Sequence, residues 1–271
     1  MKKMSRLLCW SVPLSLLIAL ALGCKSGKVE DEALLELDSL NFNDEIPLRM
    51  GVDTPSMLVN INYFFPKENE EMQRKFNAIF FGDSLAHLSP GEAMNSYVRY
   101  LGQAYKSDNF GDRASSLPAE LFDQLFELSD TVLYVDSLLL SVRVTQYEEK
   151  GGAHGATTYS HYNLLRKGAV LLSERDLFVD GYKDELSAVL VSCLVEQLGG
   201  KTVKDLENEG FFNAEEILPN GNFFLNREGL TYCFNEYEIA AYAMGPIYVF
   251  IPYERLFSIL KPDTPIKIYL P

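Results

Sequence analysis

The stretch from 151 to 163, Gly-Gly-Ala-His-Gly-Ala-Thr-Thr-Tyr-Ser-His-Tyr-Asn, holds two of the chain's three histidines, His154 and His161, and its reading decides the fold. Just upstream, Leu138, Leu140, Val142 and Val144 alternate with Leu139, Ser141, Arg143 and Thr145, the pattern of a strand with one face on a core and one toward water. Strand character returns from Thr157 to Leu165, and Arg166-Lys167-Gly168 then turns the chain into a further strand at Ala169 to Leu172. The glycines between these strands therefore read as a hairpin turn. A metal site would need both imidazoles at one ion, but their odd separation places them on opposite faces of a regular strand. Glu148 and Glu149 are acidic neighbours without a ligand spacing, and His87 sits in an unrelated segment. No metal or cofactor is expected, and His154 is read as bonding backbone across the turn.

Outward from this hairpin, helices and hairpins come in blocks. Met57 to Phe65 has strand character and is closed by Pro66, and Met72, Phe76, Ile79 and Phe80 fall on one face of a helix ending at Gly82. Ser89-Pro90-Gly91-Glu92 is a capping box with proline at the first helical position; the helix should reach Lys106. Between Leu117 and Leu128 the pattern conflicts, with helical repeats feeding straight into a strand. Lys183 to Leu198 reads as an amphipathic helix stopped by Gly199-Gly200, and Asn222 to Asn226 with Leu230 to Asn235 as a hairpin. Ile247 to Ile251 is apolar, Pro252 opens a last helix to Leu260, and Ile266 to Leu270 reads as a terminal strand. The class is α+β, with antiparallel hairpins packed against amphipathic helices in two small subdomains.

Lys2, Lys3 and Arg6 precede an apolar run from Leu7 to Leu22 that ends on Gly23-Cys24. That is the pattern of a secretory leader, and the small residue before cysteine is similar to a bacterial lipobox, so Cys24 is the expected lipidation site. Residues 1–23 are then the signal peptide, 24–45 an acidic tether, 46–150 one subdomain and 151–271 the other. An exported, membrane-tethered protein facing the periplasm or the cell surface follows. The formal charge of -14 becomes more negative once the basic leader is removed. Such a surface argues against nucleic acid and for cationic partners.

Cys193 falls on the apolar stripe of the 183–198 helix and Cys233 in a strand. An exported location permits them to pair, and packed free thiols account for the same positions. Glu174 and Asp176 could act as acid and base, yet carboxylates this close are expected by chance in so acidic a chain. Ser173 and Ser192 lack a nucleophile-elbow context. The run Tyr232, Phe234, Tyr237, Tyr242 and Met244 is the best candidate for a recognition surface, with Tyr242 and Met244 expected to be more exposed than Tyr232.

Leu140-Ser141-Val142-Arg143-Val144, Gly151-Gly152-Ala153-His154, Tyr162-Asn163, Asp176-Leu177-Phe178, Tyr237-Glu238-Ile239-Ala240, Gly245 and Ile251-Pro252-Tyr253 together resemble the exported domain shared by RsiV-type anti-sigma factors and the N-terminal part of PdaC-type deacetylases. The resemblance spans roughly residues 50 to 260. It implies a non-catalytic α+β module that binds lysozyme in the anti-sigma relative, and a protein or glycan ligand is expected here, with His154, Tyr237, Glu238, Tyr242 and Met244 as the candidate binding residues. The alternative reading, a glycan hydrolase or deacetylase-associated enzyme, requires a deep pocket with paired carboxylates or with a metal bound at His154. Gly155 stands where the family places proline, as Ala241-Tyr242 stands for Pro-Tyr, and both changes should loosen their loops.

Overall fold

A computed structural model describes residues 35–50, 54–67, 69–109, 119–151 and 154–270. The leader, Cys24 and the start of the expected tether, like Gly152 and Ala153, lie outside the described residues. Six strands form one sheet in sequential order: β1 (Leu37–Pro47), β2 (Ser56–Pro66), β3 (Gln124–Val135), β4 (Leu139–Glu149), β5 (Ala156–Leu165) and β6 (Val170–Leu172). All neighbours are antiparallel except β2 and β3, which run parallel. A parallel pair needs a long crossover, supplied here by α1 (Glu70–Phe81) and α2 (Pro90–Asp108). A second, antiparallel sheet contains β7 (Phe223–Leu225), β8 (Gly229–Phe234) and β9 (Ile247–Pro252). With it go α3 (Glu174–Leu177), α4 (Lys183–Gln197) and α5 (Val203–Asn208).

Local chemistry explains most of these boundaries. Asn69 caps α1 by accepting from the Met72 N–H at 2.9 Å, and Met72, Phe76 and Phe80 are buried. At α2 both halves of the capping box form, Ser89 with the Glu92 N–H and Glu92 with the Ser89 N–H. Burial pairs the helices with β2: Tyr63 is inaccessible to solvent, stacks on Phe80 and donates to Asn77 Oδ1 at 2.8 Å, while Asn77 Nδ2 donates to the Leu88 carbonyl. One strand serves two cores. Leu140, Val142 and Val144 of β4 face α1 and α2, whereas Leu139 joins the core built on the small sheet.

Two expected boundaries move. The tether was expected to reach residue 45, but residues 37–45 already lie in β1. Its apolar residues are spaced by Asp, Asn and Ser; Leu40, Phe42 and Ile46 nevertheless pack on the core, and Gly102 of α2 leaves the room that Ile46 fills. At this edge Asp38 and Asp44 accept from the Ser39 and Glu45 N–H groups at 2.8 Å, which occupies two donors otherwise open to another chain. The boundary expected at 150/151 falls inside the β4–β5 hairpin, and the chain beyond Glu32 is a single unit. The C-terminal helix and strand also give way: residues 253–256 and 267–269 are short 3-10 turns. Tyr269 there donates to Asp136 at the β3–β4 turn, holding the segment against the body instead of in a ladder.

The two sheets are joined by side-chain amides. Asn163 of β5 accepts from the Leu225 N–H and donates to the Phe223 carbonyl, both at 2.8 Å, so it serves β7 as a strand partner would. Ser141 Oγ lies 2.8 Å from both Asn163 Oδ1 and the Leu225 carbonyl. In the reverse direction Asn222 accepts from the His161 N–H and donates to the Tyr159 carbonyl, each at 2.9 Å, and Asn235 accepts from the Tyr159 N–H at 2.7 Å. Removing Asn163 strands a buried donor and a buried acceptor, each costing about 1–3 kcal/mol. Asn163→Ala should lose roughly 3–5 kcal/mol in urea unfolding, and an unchanged midpoint would show that the junction does not hold the sheets.

Asp130 of β3 is buried and accepts from the Phe64 N–H at 2.8 Å. Desolvation raises its pKa to about 7, against the smaller opposing effect of the backbone hydrogen bonds from Phe64 and Asp130. The unfolded carboxyl ionises near ~3.9, so folding takes up a proton between these values and stability falls as pH rises from about 4 to 7. Asp130→Asn should flatten this dependence, matching the parent at low pH and exceeding it by roughly 2–4 kcal/mol at alkaline pH, as read from denaturation midpoints.

Candidate functional site

The β4–β5 loop and the segment between β8 and β9 meet at one surface. His154 Nδ1 lies 2.9 Å from the Gly155 carbonyl, and its ring stacks on Tyr242 with centroids 4.4 Å apart. Tyr242, in a 3-10 turn over residues 242–244, stacks in turn on Tyr237 at 5.6 Å. Three of the candidate residues thus form one ladder of rings. Tyr237 adopts φ +67°, a left-handed conformation that a bulky side chain occupies at a cost, and it remains 59% exposed. Glu238 beside it accepts from Asn220 Nδ2 at 2.8 Å through one carboxylate oxygen and from Asn235 at 3.4 Å through the other.

Sequence reasoning missed the neighbouring wall. The Phe212 N–H donates to the Ile239 carbonyl at 2.8 Å, and Phe211 bridges Ala240, so residues 210–218 run alongside the Tyr237–Met244 segment. That places exposed Phe212 and Leu218 beside the segment that carries Tyr237, Tyr242 and Met244. Phe212 and Leu218 line a groove of about 430 Å³ together with Glu216 and Glu238, and Glu238 is the link between this groove and the ring ladder at Tyr237. The only signal in the sequence was Phe211-Phe212 before Asn213, and alternation across the bridge sends one ring inward and the other out.

Gly155 does not loosen its loop. It is buried, and a Cβ there would stand 2.2 Å from the Tyr147 hydroxyl, so the Tyr147 ring occupies the space a larger residue would need. The two histidines are separate because His154 lies in the loop before β5, not through strand alternation. His161 is buried between the sheets, stacked on Phe224 at 5.4 Å. Its Nδ1 lies 2.9 Å from Asn222 Oδ1, an acceptor, which assigns the proton to Nδ1; Nε2 is sealed without a partner. Desolvation lowers its pKa, and Arg143 adds to that while the Asn222 bond opposes it. Among the described residues no three His, Cys, Asp or Glu side chains converge as a metal site would require.

Glu174 and Asp176 have other occupations. The buried Glu174 carboxylate accepts from Tyr182 at 2.6 Å, Tyr232 at 2.7 Å and the Gly221 N–H at 3.0 Å, and Asp176 caps α3 through Ser173. The cavity of about 380 Å³ that Glu174 lines contains no second carboxylate. Tyr232 is fully buried, as its strand position implied.

Cys193 and Cys233 are free and buried. The pairing left open by the sequence is prevented by parity: Leu230, Tyr232 and Phe234 of β8 face the core that includes Cys193, so Cys233 points to the opposite side of the sheet. Burial raises the pKa of both thiols, that of Cys233 to about 11. Peptide mapping of the denatured, unreduced protein should find both alkylated; a linked Cys193–Cys233 peptide would overturn this arrangement.

Residues 175–254, from α3 to the end of β9, match the model described as "Protein of unknown function (DUF3298)". A crystal structure of a DUF3298 family member from Bacteroides fragilis is similar at 26% identity and a TM-score of 0.81, covering 89% of this chain and 99% of that one. A DUF3298 family protein from Pseudomonas aeruginosa shares the fold at 19% identity and a TM-score of 0.62, covering 85% of this chain and 96% of the other. No curated protein matches the sequence. The matched region contains the small sheet, its helices and all of the ring ladder except His154. Among the described residues no helix is long and apolar enough to cross a membrane.

Proposed function

We propose that the protein is an exported, lipid-anchored module of the cell envelope that captures a cationic protein of the lysozyme type on the His154–Tyr242–Tyr237 surface. The observation that carries this reading is the ring ladder ending in exposed Tyr237, with Glu238 next to it and Glu216 on the same groove as Glu238. Ring faces attract Lys and Arg head groups, each contact contributing about 0.5–1 kcal/mol at exposed sites and more when desolvated. The adjacent carboxylates add charge complementarity, and a net charge of -14 steers a basic partner toward the protein. Phe212, Leu218 and Met244 supply the apolar area that excludes water around such contacts. The RsiV- and PdaC-like pattern in the sequence supports the same class of ligand, and Gly23-Cys24 supports the anchor.

The strained Tyr237 separates binding from folding. Glycine adopts positive φ freely, so Tyr237→Gly should leave thermal stability unchanged or raise it while removing the outer ring. In biolayer interferometry against a basic lysozyme, Tyr237→Gly and Tyr242→Ala should each weaken capture about tenfold or more, equivalent to about 1.4 kcal/mol, and the parent affinity should fall with salt. Absence of capture by the parent, or equal capture by both variants, would refute the proposal.

A further inference from the structure

The six-stranded sheet has a second face that α1 and α2 do not cover. On β2 the odd residues Met57, Val59, Ile61 and Tyr63 are buried under the helices, so the even residues point the other way. Strand register aligns them into rows. Asn43 lies opposite Asn60, which lies opposite Glu127; in the adjacent row Asn41 faces Asn62, which faces Ser129. The rows continue across β4 and β5 through Tyr147 to Thr157 and through Thr145 to Tyr159. The small sheet docks on this face at β4 and β5, so the open part of the platform is β1 to β3, roughly 10 Å across at spacings of about 4.8 Å.

A water-facing sheet face is expected to be polar, but not to be built of asparagine. Asparagine is disfavoured in strands, because its amide competes with the backbone and its side chain packs poorly on a pleated surface. Yet four asparagines meet here, on neighbouring strands. Only Asn60 has a side-chain partner, donating to Glu127 at 3.1 Å; Asn41, Asn43, Asn62, Ser129 and Thr145 make no side-chain hydrogen bond among the described residues. By contrast, the asparagines at the sheet junction are fully engaged. Aromatic rings flank the free amides: Phe64 is 44% exposed at one end, and Tyr159 lies under the Arg143 guanidinium at 5.4 Å at the other.

Charge identifies the occupant. Within the two rows Glu127 is the sole carboxylate, and the cation against them is the Arg143 guanidinium over Tyr159 at the β5 end, away from the asparagines, in a chain of net charge -14. A cationic protein would gain little on such a face. An amide presents two donors and an acceptor in one plane, matching adjacent hydroxyls that both donate and accept, and aromatic rings pack against the C–H faces of pyranose rings. We infer that the open face of the six-stranded sheet, centred on Asn41, Asn43, Asn60 and Asn62, binds a neutral, polyhydroxylated oligosaccharide. This site is distinct from the ring ladder and does not depend on it.

Isothermal titration of the full-length protein with the N-acetylglucosamine tetramer and with cellotetraose tests the inference. At least one should bind saturably, with affinity insensitive to added salt and reduced tenfold or more by the double variant Asn41→Ala, Asn62→Ala. Because those side chains are exposed, the melting temperature of the variant should match the parent. A second variant, Asn62→Lys, should block the platform without shortening the side chain, whereas Tyr242→Ala should leave oligosaccharide binding intact. Failure of both oligosaccharides to bind the parent, or binding unchanged in both asparagine variants, would overturn the inference; loss with Tyr242→Ala instead would assign the glycan to the other surface and overturn it equally.

Discussion

Three asparagine side chains close the polar junction between the two sheets. Two sheets meet where neither continues the other, and the backbone groups left open at the edges of β5 and β7 must find partners or forfeit their hydration. Asn163 supplies the partner for β7, and Asn222 and Asn235 supply it for β5. An amide can do this because it presents a donor and an acceptor side by side, as a peptide group does. Arranged in both directions across the junction, these contacts fix the small sheet relative to the large one in position and in angle.

That junction also sets the two candidate surfaces. Asn235 is tied to β5 and Glu238 to Asn220, so the segment leading to Tyr237 leaves β8 at a fixed point. It meets the β4–β5 loop there, which brings His154 onto Tyr242 across more than eighty residues of sequence. Because the small sheet covers only the β4–β5 end of the large one, the asparagine rows on β1 and β2 stay open. One surface is aromatic and acidic and the other is amide-rich and nearly neutral, so they suit ligands of different charge.

Much of the fold was legible because its causes are local. The α2 capping box, the α1 stripe, the β4 alternation and the stop at Gly199 each follow from a few adjacent residues. Where reading failed, a distant partner had overridden local pattern. β1 reads as a tether because its acids and asparagines outnumber its apolar residues, yet Gly102 of α2 makes a seat for Ile46 and converts the segment into an edge strand. Gly155 reads as slack, but the Tyr147 ring fills its space. For the candidate surface, the sequence suggested His154, Tyr237, Glu238, Tyr242 and Met244 but not Phe212 or Leu218, which arrive through a single bridge between remote segments.

By itself the sequence determined the α+β class, the ends of α1, α2 and α4 and the parities of β2, β4 and β8, because periodicity and capping depend on neighbours within a turn or a pleat. Parity already implied that one side of β8 carries Leu230, Tyr232 and Phe234 and the other Cys233. Only the tertiary structure decided that Cys193 packs on the former side, that β4 feeds two cores, and that the asparagines divide into engaged and free sets. The physical reason is the same in each case. A side chain's role depends on which polar or apolar group faces it, and that is set by strand register and sheet docking between residues far apart in the chain.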